Sequence, residues 1–533
     1  MSRKTPSPFR IAIECLFAGT KPAPATFLAC PPWSFQLKEC LAMNPKENGS
    51  ARDQRVLRLY EQLVEIEQRL IPTGLHVFGR AAELKEKADL LRMVASFDRP
   101  EHGARALPKL VAEALGIDNY EALLQETSAS ESRDLVDAIV ADAVQQFCEG
   151  GADKAVRWLN ARAGVESEKS LPGFLLLARI AEQLDSNQEI DSLMRALRGE
   201  YISPGPGADI VQNPQVLPTG RNTHAINPYS VPSEMAFARA ELTADALLRR
   251  CFEERGRYPR ALAMVLWGLD NIKTQGEGVA QALWLLGVRP VRDALNRATE
   301  IEVISLAELK RPRIDVVMTV SGIFRDLFAP TMALLDKAVR RVAALDEPLE
   351  MNYVRRNVSE RIDAGGAEFD DAVTRVFSNA PGNYGTNVNF MVMQSQWETA
   401  DTLGDLFVTR KCFAYSRDSM MDDALSRVEA TYQNIDSFEV GITDVDHYFE
   451  YLGGISKAVE KRAPARPSIY LSDSLSPQTK IRSLEETIRL ETRAKTLNPK
   501  WYEGMLKHGF RGVAEIENHV LNTFGWSATA DAV

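Results

Sequence analysis

The chain has 533 residues, room for about three domains at ~150 residues each. Its 63 Lys and Arg against 73 Asp and Glu leave a formal charge of −10, the wrong sign for a general nucleic-acid binder, which needs a basic face. Hydrophobic residues make up 45%, which excludes global disorder, and no run of about 18 consecutive apolar residues exists, so no spanning helix is expected.

Six cysteines, at 15, 30, 40, 148, 251 and 412, include no Cys-x-x-Cys pair. That usage fits a reducing compartment. Ser2-Arg3-Lys4 and the mostly apolar Ile11 to Gly19 have the outline of a signal peptide, but Glu14 interrupts the apolar run. Residues 1–53, rich in Pro, Ser and Lys, read as a leader with no assignable role.

From Gln54 the pattern becomes helical: Val56, Leu59, Tyr60, Leu63 and Ile66 recur on one face until Pro72 and Gly74 stop it. Ala- and Leu-rich runs such as Leu135 to Phe147 and Phe174 to Leu184 extend a helical domain over 54–200. Residues 201–235 hold Pro204, Gly205, Pro206, Gly207, Pro214, Pro218, Gly220, Pro228 and Pro232, which cannot continue a helix. We therefore read 201–260 as a Pro/Gly-rich loop and connection.

Strand and helix signals then alternate. Ala261 to Trp267, Ile301 to Leu306 and Ile314 to Val320 read as strands; Gly278 to Leu286 and Leu334 to Ala344 read as helices. This is an α/β core over 261–346, built on a parallel sheet. Residues 347–533 read as a C-terminal α/β region with further helices. Ser483 and Glu486 form a capping-box spacing there, and Asn498-Pro499 should end the helix it starts. The chain stops directly after Gly525-Trp526-Ser527-Ala528-Thr529 and reads as truncated. The fold class is thus α/β, multi-domain, with a largely helical N-terminal region.

Several chemistries are missing. No Gly-Lys pair occurs, so there is no P-loop for ATP, and no His-Glu-x-x-His zinc helix is present. Gly276-Glu277-Gly278 lacks the third glycine of a dinucleotide fingerprint and reads as a tight turn opening a helix.

In parallel sheets, ligands collect at the carboxyl ends of strands. Here those ends are Trp267-Gly268-Leu269-Asp270-Asn271 and Ser321-Gly322-Ile323-Phe324-Arg325-Asp326. Asp270, Lys273, Glu277, Arg325 and Asp326 would meet at one sheet edge, forming either a site or an ion-pair network that caps helices. Arg221, in the long loop, can hold a carboxylate bidentately or stay solvated. Asp444, Asp446 and His447 can offer oxygen and imidazole ligands, or serve as helix caps.

At these residues the chain resembles a known family. Ala261 to Trp284 (ALAMVLWGLDNIKTQGEGVAQALW) and Arg311 to Asp336 (RPRIDVVMTVSGIFRDLFAPTMALLD) are similar to the large porphyrin-binding H subunit of magnesium chelatase, whose core the large cobaltochelatase subunit shares. VLPTGRNTHAINP (216–228), DVDHYFEYLGG (444–454), LNPKWYEGMLKHG (497–509) and NTFGWSAT (522–529) lean to the magnesium side. The resemblance covers about 56 to 533. It implies a cytoplasmic chelatase component that inserts Mg²⁺ into protoporphyrin IX for chlorophyll or bacteriochlorophyll synthesis, with ATP hydrolysed by AAA+ partner subunits of the I and D type. Family H subunits are longer and carry an upstream His-Gly, Glu, Pro-Gly-Lys segment with a catalytic Glu. That segment is absent here, so the chain reads as a C-terminal part, a split-gene product or a degenerate copy. The alternatives are a cobalt-specific homologue acting on a corrin precursor and a non-catalytic tetrapyrrole-binding module.

Under that reading, residue type and position nominate Trp267, Phe324 and Tyr448 for ring contact. Arg221, Lys273 and Arg325 are nominated for the propionates, Glu277, Asp446 and His447 for proton transfer, and Asp444, Asp446 and His447 for the metal.

Overall fold

Ala261–Leu266 (β1) and Asp315–Val320 (β4) are buried at every position, the mark of strands covered on both faces. They pair in parallel from Ala261 opposite Asp315 to Leu266 opposite Val320. In the computed structural model they lie inside a seven-stranded sheet. The structure describes residues 76–532, apart from 81–82, 118–119, 121–129, 206–209, 212–213, 222–225, 366, 415–420, 438–439 and 474–478. The leader and the helix expected from Gln54 lie outside the described residues.

β7 (Ala430–Ile435) flanks β1 on its other side, followed by β8 (Ser468–Asp473), both in parallel. β5 (Val376–Ser378) runs parallel to β4. The outer strands β6 (Phe413–Ala414) and β9 (Lys480–Ser483) are antiparallel edges. The order across the sheet is β6-β5-β4-β1-β7-β8-β9. The sheet therefore crosses the boundary expected at 346: strands from 376 to 483 complete the core begun at 261. One face is covered by the helices Glu234–Arg255, Glu277–Leu286 and Ala329–Ala343, through Leu247, Leu283, Leu335 and their neighbours. The other is covered by Ala400–Lys411 and Gly454–Arg462, through Leu403, Phe407, Ile455 and Val459.

Two expectations need correction. The strand read at Ile301 to Leu306 is instead Ala298–Val303 (β3), which pairs antiparallel with Val288–Arg292 (β2) in a separate ribbon. Only Ala298 and Ile301 along it are buried, too few for a strand covered on both sides. The Asp293 carboxylate forms the turn by accepting from the Leu295 and Arg297 amides, 2.9 Å each. Within the connection assigned to 201–260, Glu234–Arg255 is a 22-residue helix. Prolines stop at Pro232, Ser233 caps the first turn by accepting from the Ala236 amide at 3.1 Å, and Gly256 closes the last turn with φ 69°.

Before the sheet, the helices Leu84–Ala95, Leu107–Ala114, Ser130–Ala163 and Ser167–Asp185 bury their own core of Val94, Leu110, Val140, Val144, Phe174 and Leu177. The long helix breaks at Gly150 and Gly151, where the backbone leaves helical geometry. At the far end, the capping box of Ser483 and Glu486 is formed, at 2.8 and 3.2 Å. The helix it opens, Leu484–Ala494, ends just before Asn498, which accepts from the Lys500 amide and caps Pro499–Leu506.

The chain divides into two compact units: one includes Arg489–Val520, and the other is His76–Ile488 with Leu521–Val533. Inside the first, the Trp501 and His519 rings lie 5.2 Å apart, and Thr496 hydrogen-bonds His519 at 2.6 Å. The sheet and the site described next belong to the second.

Candidate active site at the strand tips

The tips of β1 and β4 are stitched together by a serine. Ser321 Oγ accepts from the amides of Gly268 (3.0 Å) and Phe324 (3.2 Å). Gly268 lies so close to the next tip that a Cβ there would sit 2.8 Å from the Phe324 nitrogen. β1 therefore ends in a short turn that leads through Trp267 into the helix Gly268–Lys273.

Aromatic rings form one wall. Trp267 packs against Tyr451, with ring centres 4.6 Å apart and planes tilted by 41°, and meets Tyr448 edge-on at 5.7 Å. Its Nε1 donates to Gln433 Oε1 at 3.2 Å, which fixes the indole over β7. Tyr448 OH donates to Asp436 Oδ1 at 2.9 Å, and Lys273 Nζ lies 3.1 Å from Asp436 Oδ2. Trp267, Lys273 and Tyr448 are thus brought together around Asp436, the residue directly after β7.

Behind them lies a buried acidic floor. Asp270 is 3% exposed; Oδ2 receives only a 3.4 Å bond from Asn434, and Oδ1 has no hydrogen-bond partner. Burial, then the charges of Asp436 and Glu277, push its carboxyl well above the usual range. Glu277 is buried too, 3.3 Å from Arg239 and bonded by Thr243 and Gln281. Burial raises its pKa against the pull of Arg239. Gly276, just before it, sits at φ 94° with room for a Cβ only 2.8 Å from the Pro232 Cα, the tight turn read from sequence.

A second cluster sits on the far side of Trp267. Phe449–Gly453 is a single π-helical turn, a deformation common at functional sites. It buries Glu450, whose Oε1 accepts from the Thr386 hydroxyl (3.0 Å) and the Asn387 amide (2.8 Å) and whose Oε2 lies 2.9 Å from His447 Nδ1. That contact, outweighing burial, raises the His447 pKa. Asp446 Oδ2 accepts from Asn389 at 2.6 Å. Lys411, fully buried, donates to the Val320 carbonyl at 2.6 Å and lies 3.9 Å from the Tyr451 ring centre. Burial lowers its pKa well below the usual lysine value, against the pull of Glu450.

The remaining nominated residues are placed elsewhere or already engaged. Phe324 is fully buried against Phe328 and presents no face for ring contact. Arg325 clamps its neighbouring loop: Nη1 donates to the carbonyls of Asn379, Ala380 and Asn383 and Nε to Asp326, while its buried Nη2 has no hydrogen-bond partner among the described residues. Arg221 donates to the carbonyls of Gln215, Val216 and Leu217 in its own loop. The Asp444 carboxylate accepts from the Gly441 amide at 2.5 Å in its own turn, while Asp446 and His447 stand side by side at 3.6 Å.

Asp436, Glu450, Tyr451 and Lys411 were not singled out from sequence. Asp436 follows a strand whose Thr431, Gln433 and Asn434 hid it. Glu450 carries one faint signal, its place three residues after His447.

A model of the CobN/Magnesium Chelatase family matches residues 34–533. The chain belongs to that family. It is 41% identical over 525 residues to "Magnesium-chelatase subunit ChlH, chloroplastic" of Oryza sativa subsp. indica, covering 90% of this chain and 38% of that protein. It is 41% identical over 461 residues to the magnesium-chelatase H subunit of Rhodobacter capsulatus, covering 85% and 38%. The "Aerobic cobaltochelatase subunit CobN" of Sinorhizobium sp is 32% identical over 535 residues, covering 91% and 42%. The solved "Catalytic Subunit of Cobaltochelatase from Mycobacterium tuberculosis" superposes with a TM-score of 0.85 at 31% identity, over 100% of this chain and 46% of that one. The chain thus spans less than half the length of these relatives. No helix among the described residues is long and apolar enough to cross a membrane.

Proposed function

We propose that this chain is the tetrapyrrole-binding part of a magnesium chelatase H subunit, acting in the cytoplasm on protoporphyrin IX for chlorophyll or bacteriochlorophyll synthesis. The carrying observation is the convergence of Trp267, Tyr448 and Tyr451 with Lys273, Asp436 and His447 at the carboxyl ends of β1 and β7. A flat macrocycle needs an apolar wall with a few placed polar groups. Support for magnesium is the 41% identity to H subunits against 32% to the cobaltochelatase subunit.

Mg²⁺, the substrate ion, sheds its water reluctantly, and two pyrrole protons must leave the ring. In this reading Asp446 and His447 receive the ion or a proton, and Lys273, now 3.1 Å from Asp436, turns to a propionate. Glu277 is set behind Asp270 and acts on the field of the site rather than on the ligand. ATP would be hydrolysed by AAA+ partners of the I and D type, consistent with a sequence that has no P-loop.

The test is a titration of the purified chain with a soluble porphyrin and, in parallel, a corrin precursor, followed by tryptophan quenching. Saturable micromolar binding of the porphyrin alone is expected. Preference for the corrin would move the assignment to the cobalt branch; binding of neither would remove the reading. Metalloporphyrin formation after adding AAA+ partners, ATP, Mg²⁺ and the remaining portion of an H subunit separates an enzyme part from a binding module.

A further inference from the structure

The His447 side chain is 58% exposed, yet one of its ring nitrogens is pinned by a carboxylate that is 1% exposed. Glu450 Oε2 lies 2.9 Å from His447 Nδ1. The other oxygen of Glu450 is already taken: Oε1 accepts from the amides of Thr386 and Asn387 and from the Thr386 hydroxyl. Three donors leave no place for a proton on Oε1, so the carboxylate offers Oε2 to the imidazole as an acceptor. A neutral imidazole carries one N–H, and the bond made by one nitrogen decides the state of the other. Nδ1 therefore donates to Glu450, and the lone pair is left on Nε2. Among the described residues, no hydrogen bond or ion pair reaches Nε2.

The backbone holds Glu450 for this contact. It sits in the π-helical turn Phe449–Gly453. A Cβ on Gly525 would lie 2.6 Å from the Phe449 ring, and one on Gly385 would lie 3.0 Å from Glu450 Oε1, so the chain closes tightly round the turn and its carboxylate. The competing acid, Asp446, is 3.6 Å from Nδ1, beyond hydrogen-bond reach, and its Oδ2 takes the Asn389 side-chain amide at 2.6 Å.

We propose that Glu450 is a positioning residue: it fixes His447 with its proton on Nδ1, so that Nε2 is the atom through which His447 acts in the reaction. Glu450 itself touches neither tetrapyrrole nor ion. The role in the reaction rests on the function proposed above; the tautomer does not.

Ring-nitrogen NMR of the full chain, isotope-labelled at its six histidines, reads the tautomer with no ligand present. At pH ~9, where an imidazole is neutral, His447 should show a protonated Nδ1 and an unprotonated Nε2, with His447→Gln assigning the signals. Glu450→Gln keeps a carbonyl oxygen for the Thr386 and Asn387 donors and turns an NH₂ toward Nδ1, which can then only accept. The proton should move to Nε2. Asp446→Asn should leave it on Nδ1. A wild-type His447 protonated on Nε2, or a tautomer that follows Asp446 instead, would overturn the assignment; wild type alone gives the first result, whether or not a variant folds. In the reconstituted chelatase, Glu450→Gln should lower kcat roughly 10²- to 10⁴-fold with porphyrin affinity unchanged, the range for an imidazole held in the wrong tautomer. An unchanged kcat with the tautomer reversed would end the role of Glu450 in the reaction and leave the chelatase reading intact. A chain with the expected tautomer that binds no porphyrin would end the chelatase reading and leave the positioning of His447 standing.

Discussion

The two ends of the sheet treat buried charge in opposite ways. At the amino ends of the strands most charges are matched; the exception is buried Arg311, whose Nε has no hydrogen-bond partner among the described residues and lies 3.8 Å from Asp245. Asp315, opening β4, receives both Arg375 nitrogens at 2.8 and 3.0 Å and Asn357 at 2.8 Å. Arg313, fully buried, meets Glu347 through two nitrogens at 2.7 and 2.8 Å and donates to carbonyls of Gly287 and Ile304. Glu429, before β7, accepts from both terminal nitrogens of Arg257 and from the Arg260 amide, which together outweigh burial and hold its pKa down. At the carboxyl ends, among the described residues, Asp270 lacks a partner for one oxygen, Gln433 Nε2 and Asn389 Oδ1 are also unpaired, and the Lys411 ammonium has a carbonyl and a ring but no carboxylate in contact. Complete pairing holds a fold in place; incomplete pairing is tolerated where the groups have something else to meet.

The largest effect should come from breaking the satisfied end. Arg375→Met leaves Asp315 charged, buried and unpaired, and should cost about 3–5 kcal/mol in denaturant unfolding. If it cost no more than a surface change, the contrast between the ends would fail. Next, Gly268→Ala puts a methyl against the Phe324 amide, forces the β1 and β4 tips apart and should cost about 1–3 kcal/mol.

The same logic predicts a stabilising change at the other end. Asp270 has a folded pKa above its unfolded one, so the folded state holds the extra proton. Stability attributable to it falls as pH rises from the unfolded value toward the folded one. Asp270→Asn should therefore raise stability near neutral pH, on the order of 1 kcal/mol, and the gain should vanish below pH ~4. A loss of stability at pH 7 would say that Asp270 is paired after all. The smallest effect concerns reactivity: burial pushes the Cys251 thiol up to about 12, so mapped alkylation at pH 8 should leave Cys251 unlabelled until denaturant is added.

How much of this was legible follows from the kinds of residues involved. β1 and β4 are runs of Val, Leu, Met and Ala, and such runs announce buried parallel strands. β7 is not legible that way, because Thr431, Gln433 and Asn434 are polar yet fully or nearly fully buried: the first bonds Ser456, the others line the site. A strand with buried polar positions thus hides from a hydrophobicity reading. Trp267, Lys273 and Tyr448 could be nominated because they follow or flank recognisable elements, and the structure brings them together around Asp436. Glu450 and Lys411 depend on contacts 64 and 91 residues away along the chain, which no spacing rule reaches. Arg221 and Arg325 show what residue type alone cannot tell: both were nominated for propionates, and in the structure both donate to backbone carbonyls.

The direct test of the central claim is to compare porphyrin binding in variants of the two ends. Trp267→Phe and Lys273→Met at the carboxyl ends should each weaken tryptophan-independent binding, followed by porphyrin absorbance, about tenfold or more. Arg257→Met at the amino ends, a half-exposed pair, should leave it unchanged. Equal affinities across all three, or a loss confined to Arg257→Met, would contradict a tetrapyrrole site at the tips of β1 and β7.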